Sequence, residues 1–148
     1  MGIAREDVLR LTTAARAARQ HAYAPYSEHQ LGAALLTHTG EIIAAGNVEN
    51  SCYALTVCAE RAVFYRALAG GWVNFRALLI HSDSAEPIPP CGACRQVIWE
   101  LAGDIEIIMV GTGSRLRKTS LAQLFPEPYK QQNRHRLKRY HRFRKKVL

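Results

Sequence analysis

The chain has 148 residues, 48% of them hydrophobic and 22% charged, the balance of an ordinary globular domain with a real core. No apolar run approaches the roughly 20 residues of a membrane span, and the start, MGIAREDVLR, mixes charges of both signs without an apolar leader core. The net charge of +8 is confined to one end: residues 1–129 carry 11 Lys/Arg against 12 Asp/Glu, and residues 130–148 carry 9 Lys/Arg and no acid.

Residues 5–21 predict an alanine-rich amphipathic helix with Val8, Leu11, Ala15 and Ala18 on one side. AYAPYSE follows as a loop, since Pro25 disfavours helix at Ala24. Apolar runs at 30–37 and 41–47 around Thr39-Gly40 read as a β-hairpin. From Val57 to Ala69 the pattern is helical again, through Cys58, Ala62, Tyr65 and Leu68, and Gly70-Gly71 ends it. FRALLIHS, at 75–82, is a strand apolar enough to be buried on both faces. A third helix carries Cys94, Val97, Ile98 and Leu101 and stops at Gly103; residues 105–110 and 115–119 are strands, and SLAQLF is a short helix before Pro126. The order predicts an α/β fold of three layers, a central mixed sheet of about five strands with helices on both faces.

The chain divides into a domain over 1–129 and a basic tail over 130–148. Nine cations without an acid read as a solvated, poorly ordered terminus. Interleaved Tyr140 and Phe143 leave a second reading, contact with nucleic acid or an anionic surface. Glu6 stands where a myristoylation signal wants Ser or Thr, so lipid anchoring is not expected.

The chemistry lies in the cysteines. PPCGACRQ sets Cys91 and Cys94 three apart at the start of a helix, and thirty residues upstream TVCAERAVF sets Cys58 at the start of another. A redox pair is the weaker reading, because it leaves Cys58 and Glu60 unexplained. Three thiolates at two helix starts can converge on one tetrahedral zinc and leave its fourth position open to water, the arrangement of a catalytic site. In a reducing cytosol, the default compartment, such cysteines are expected as ligands or free thiols rather than disulfides. Cys52 is the remaining cysteine, and its spacing to Cys58 does not repeat C-x-x-C. Glu60 supplies the carboxylate that such a site needs to take a proton from water and deliver it to substrate. A cysteine-held zinc, a non-ligating Glu and a P-C-x-x-C element together form a known zinc deaminase signature, here with C-x-E in place of H-x-E.

AYAPYSE, LGAALLT, NVENSCYALTVCAER and PPCGACRQ occur in one order and spacing, and together they resemble the small, homotetrameric, zinc-dependent cytidine deaminases over roughly residues 20–129. The resemblance implies an enzyme of pyrimidine salvage that hydrolyses cytidine and deoxycytidine to the uridine nucleosides, and the absence of a membrane or export signal makes a cytoplasmic location the expectation. One zinc per subunit would be held by Cys58, Cys91 and Cys94, with Glu60 as the proton shuttle. Three thiolates leave the metal centre at a charge of −1, and the resemblance makes Arg61 the donor that offsets it. Asn47 and Glu49 share a face at a strand end and are implied for ribose; Ala59 is implied for the substrate, and Tyr53 for a neighbouring subunit's nucleoside.

Three positions depart from the family. His29 replaces a Phe that packs on the base, and imidazole is smaller, polar and titratable. Pro89 replaces a Ser, and Tyr129 stands where a Phe often lies. They bear on base preference more than on reaction type. The alternatives are the same chemistry on a modified cytidine or on cytosine in RNA, and a nucleic-acid-binding module whose zinc is structural. Glu60 argues against the last, because a structural site has no need of it.

Overall fold

The computed structural model describes residues 2–113 and 115–130; the tail from Gln131 onward, and with it any reading of its order, lies outside them. Five strands form one sheet in the order β2-β1-β3-β4-β5. They are β1 (Leu31–Thr37), β2 (Ile42–Gly46), β3 (Phe75–Ser82), β4 (Glu106–Val110) and β5 (Leu116–Ser120). β3 and β4 run parallel and the other pairs antiparallel, so the sheet is mixed as expected.

The four helices are α1 (Arg5–Gln20), α2 (Ala59–Ala69), α3 (Gly92–Ala102) and α4 (Leu121–Leu124). α1 covers one face of the sheet, packing Val8, Leu11 and Ala15 on Ala34, Leu36, Ala77 and Leu79. α2, α3 and α4 cover the other through Val63, Phe64, Ile98 and Leu121, against Leu35, Leu78, Ile80, Ile107 and Met109. β3 is central, and only Arg76 along it is exposed. Among the described residues no helix is long and apolar enough to cross a membrane.

The hairpin turns at Gly40, whose φ of +92° needs a glycine. The Glu41 carboxylate holds the turn, accepting from Thr39 Oγ1 and, at 2.6 Å, from Thr37 Oγ1. α4 opens on a capping box between Ser120 and Gln123. Helix α2 differs from expectation at its start. Val57 exchanges backbone hydrogen bonds with Val48, 2.9 Å each way, so the helix begins two residues later and leaves Cys58 as its cap. Its buried stripe is Ala59, Glu60, Val63, Phe64 and Ala67 rather than the one through Ala62 and Tyr65, because Phe64 stacks edge-on against Phe75 of β3.

α1 seats on the sheet through glycine. A Cβ on Gly32 would lie 1.9 Å from the Ala15 carbonyl oxygen and 2.7 Å from the Arg19 nitrogen. Both are backbone atoms with no rotamer to yield. Gly32→Ala is therefore expected to cost about 3 kcal/mol, the upper end of overpacking. It should appear as a lower urea midpoint at unchanged slope. A midpoint equal to wild type would show that α1 does not sit this closely on β1.

Candidate metal centre and active site

α3 follows β3, so its N-terminus lies beyond the carboxyl end of the parallel pair, and α2 packs beside it. The two helix starts bring the thiols together. Cys58 caps α2, Cys91 caps α3 and Cys94 follows within its first turn, and the three sulfurs all lie within 4.8 Å of one another. The Cys91 and Cys94 sulfurs are 3.4 Å apart. Sulfurs on a tetrahedral zinc, each about 2.3 Å from the metal, sit about 3.8 Å apart, so this donor set fits zinc with little movement. Cys52 is exposed and outside the cluster.

Electrostatics favour thiolate at Cys58. Neither Cys58 nor Cys91 makes a side-chain cap, and the free N–H groups of both helices face the sulfurs' end. A hydrogen bond from Cys94, with Arg61 adding to it, lowers the Cys58 thiol to about 5. Cys94 moves the other way, raised by that same bond and by burial. Arg61 Nη2 lies 3.7 Å from Cys58 Sγ and donates to the Thr56 carbonyl at 2.9 Å, so its cation stands beside the thiolates.

Glu60 is 4% exposed, and its Oε2 has no hydrogen-bond partner among the described residues. Burial raises its carboxyl to about 7, with the Cys58 charge adding and a backbone hydrogen bond opposing. A buried carboxyl with one free oxygen, two residues from the Cys58 thiol, has the setting of a candidate acid–base group. Ala59 is fully buried in the core.

Asn47, Glu49 and His29 form a second cluster, joined to the first by the Val48–Val57 bridge. Asn47 is 6% exposed; its Oδ1 accepts from Leu31 N at 2.8 Å and its Nδ2 donates to the His29 carbonyl at 3.0 Å. Glu49 accepts from Tyr26 N at 2.9 Å, Ser27 N at 3.3 Å and Ser27 Oγ, and the Ser27 hydroxyl foremost lowers its pKa. Both side chains thus hold the 26–31 segment. An ionised carboxylate accepts at about four sites, which leaves Glu49 room for one more donor. His29 Nδ1 lies 2.5 Å from Asp83 Oδ1. Tyr53 stands apart on a 3-10 turn, Tyr53–Leu55, 89% exposed.

Sequence reasoning missed Asp83, which also accepts from Gln30 N at 2.7 Å, and Arg95. Asp83 left no spacing signal. Arg95 did leave one: like Arg61 it is a cation in a helix's first turn, where the dipole disfavours positive charge unless an anion is near.

Residues 5–112 match the family model described as the cytidine and deoxycytidylate deaminase zinc-binding region. The chain is 39% identical over 128 residues to a cytidine deaminase of Sporosarcina psychrophila, covering 86% of this chain and 94% of that one. It is 40% identical over 129 residues to a probable cytidine deaminase of Dictyostelium discoideum, covering 86% and 87%. The crystal structure of cytidine deaminase from Burkholderia pseudomallei superposes with a TM-score of 0.80 at 40% identity, over 86% of this chain and 100% of that one.

Proposed function

The chain belongs to the cytidine and deoxycytidylate deaminase family, and from that premise we propose that it hydrolyses cytidine and deoxycytidine to the uridine nucleosides and ammonia. The observation that carries this is the meeting of three thiols with a buried, half-unpartnered carboxyl at two helix starts. Cys58, Cys91 and Cys94 would hold one zinc, which when bound lowers the pKa of water and supplies a nucleophile at neutral pH.

The chain's own residues do the rest. Glu60 takes a proton from the attacking water and passes it to the ring nitrogen beside the reacting carbon. It then relays a second proton to the exocyclic nitrogen, which departs as ammonia while water's oxygen stays on the ring. Burial excludes bulk water and keeps the carboxyl's proton exchange near neutral pH. Arg61 offsets the thiolate charge, which would otherwise hold the water's pKa too high. Glu49 and Asn47 bind ribose, with His29 beside them. Four copies assemble, and Tyr53, Tyr65 and Tyr129, all exposed, are large apolar groups for such contacts. The protein works in the cytosol, where its four cysteines stay reduced.

Ultraviolet-monitored turnover of free cytidine by zinc-loaded protein tests the reading. Conversion to uridine is expected; a folded, zinc-loaded chain that leaves free cytidine untouched but converts cytosine in an RNA oligonucleotide would replace the substrate. Glu49→Gln tests the ribose assignment. Loss of a charged hydrogen bond is worth about 1.5–3 kcal/mol, so kcat/KM should fall roughly 10- to 100-fold, mainly through KM. A lower Tm with unchanged KM would restrict Glu49 to holding the 26–27 turn.

A further inference from the structure

Cys91 is the exposed member of the thiol set, so the position of its sulfur depends on the backbone that carries it. One residue holds the carbonyls on both sides of it. Arg95 Nε donates to the Pro90 carbonyl at 2.8 Å, and the Arg95 backbone N–H donates to the Cys91 carbonyl at 3.0 Å. The same guanidinium reaches further: Nη1 donates to the Leu124 carbonyl, the last of α4, at 2.7 Å. Two bonds from one planar guanidinium to two separate carbonyls hold a direction as well as a distance. The next residue continues the pattern. Gln96 Nε2 donates to the Tyr129 carbonyl, and Tyr129 N donates to Gln96 Oε1, both at 3.0 Å.

We infer that Arg95 is a positioning residue of the metal centre: it fixes the Pro90–Cys91 peptide, and with it the Cys91 sulfur, by tying that peptide to the end of α4. The inference rests on the reading that the three thiols hold zinc. Arg95 touches no reacting atom, and its effect passes through Cys91 alone. Arg66 provides the comparison, a cation that also ties two elements by a bond to a carbonyl, Ala44 at 2.6 Å, but at the far end of α2.

The test measures zinc affinity of the full chain by competition with a chromophoric chelator, and Tm of the apo and zinc-loaded forms. Residues that orient metal ligands are worth roughly 10- to 100-fold in metal affinity. R95Q is expected to weaken zinc binding by that factor and to narrow the Tm gap between loaded and apo protein. R66Q should lower both Tm values together and leave zinc affinity alone. R95K keeps the charge but reaches one carbonyl only, so it should bind zinc almost as weakly as R95Q; if R95Q does not fold, R95K decides. Wild-type zinc affinity in R95Q, with both Tm values lowered in parallel, would reduce Arg95 to a structural tie and overturn the inference. Full affinity in R95K would also overturn it, by assigning the effect to charge. A wild-type chain that takes up no zinc would instead defeat the metal reading itself.

Discussion

Glu60→Gln is expected to lower kcat by about 10²- to 10⁴-fold, the usual range for a general acid–base group, while zinc content stays at one per chain. Glutamine has the same shape and keeps a carbonyl oxygen, so packing within the α2 stripe survives. What it loses is the proton. Oε2 has no partner among the described residues, the backbone hydrogen bond to the carboxyl can be kept by glutamine's carbonyl oxygen, and burial already opposes the ionised form. Tm should therefore hold or rise slightly, the trade of stability for activity seen at strained sites. The three thiols do not include Glu60, so metal should stay. The decisive readings are metal content and single-turnover rate on the same sample. A variant that loses zinc would make Glu60 a ligand; one that keeps both zinc and turnover would remove it from the proton path.

The sheet was readable because its inner strands are apolar almost throughout, and β3 in particular has one exposed residue along its length. Periodicity also placed α1, through Val8, Leu11 and Ala15. It was less informative for α2, where apolar residues occur on several sides and the packing of Phe64 on Phe75 decides which stripe is buried. The late start of that helix depends on a two-residue bridge between Val48 and Val57, a pairing too short to leave a pattern.

At the site, cysteine spacing named the thiols, proximity in sequence named Glu60, and the family resemblance named Arg61. What spacing could not show is that Asn47 and Glu49 spend most of their hydrogen-bonding capacity on the 26–31 segment. Those bonds join residues 16 to 23 apart along the chain. The His29–Asp83 pair spans more than fifty positions, and it changes what the histidine offers. Held at Nδ1 by a carboxylate, the ring is oriented and has its other nitrogen left for a polar neighbour. A stacking Phe at this position offers neither. Base preference is thus the property that the family resemblance transfers least directly.

Cys58→Ala is the second large effect expected, and it acts on the metal rather than the proton. Binding of zinc at four-ligand sites runs to about 10–16 kcal/mol, roughly 3–4 kcal/mol per ligand, so losing one thiolate should weaken zinc binding by two to three orders of magnitude. Turnover should vanish at zinc concentrations that saturate wild type. The apo fold should survive, because Cys58 is a half-buried cap without a side-chain cap bond, and Arg61 keeps its bond to the Thr56 carbonyl. Arg61 becomes the liability. With the thiolate gone, a partly buried guanidinium has lost the group beside it, and Arg61→Gln in the Cys58→Ala background should cost less stability than in wild type. That non-additivity is the mark of a direct pair. Cys52→Ser supplies the control, exposed and outside the cluster, and should bind zinc as wild type does. If Cys52→Ser loses the metal and Cys58→Ala retains it, the ligand set is wrong, and with it the assignment of Glu60, whose place beside the reaction follows from standing two residues beyond Cys58.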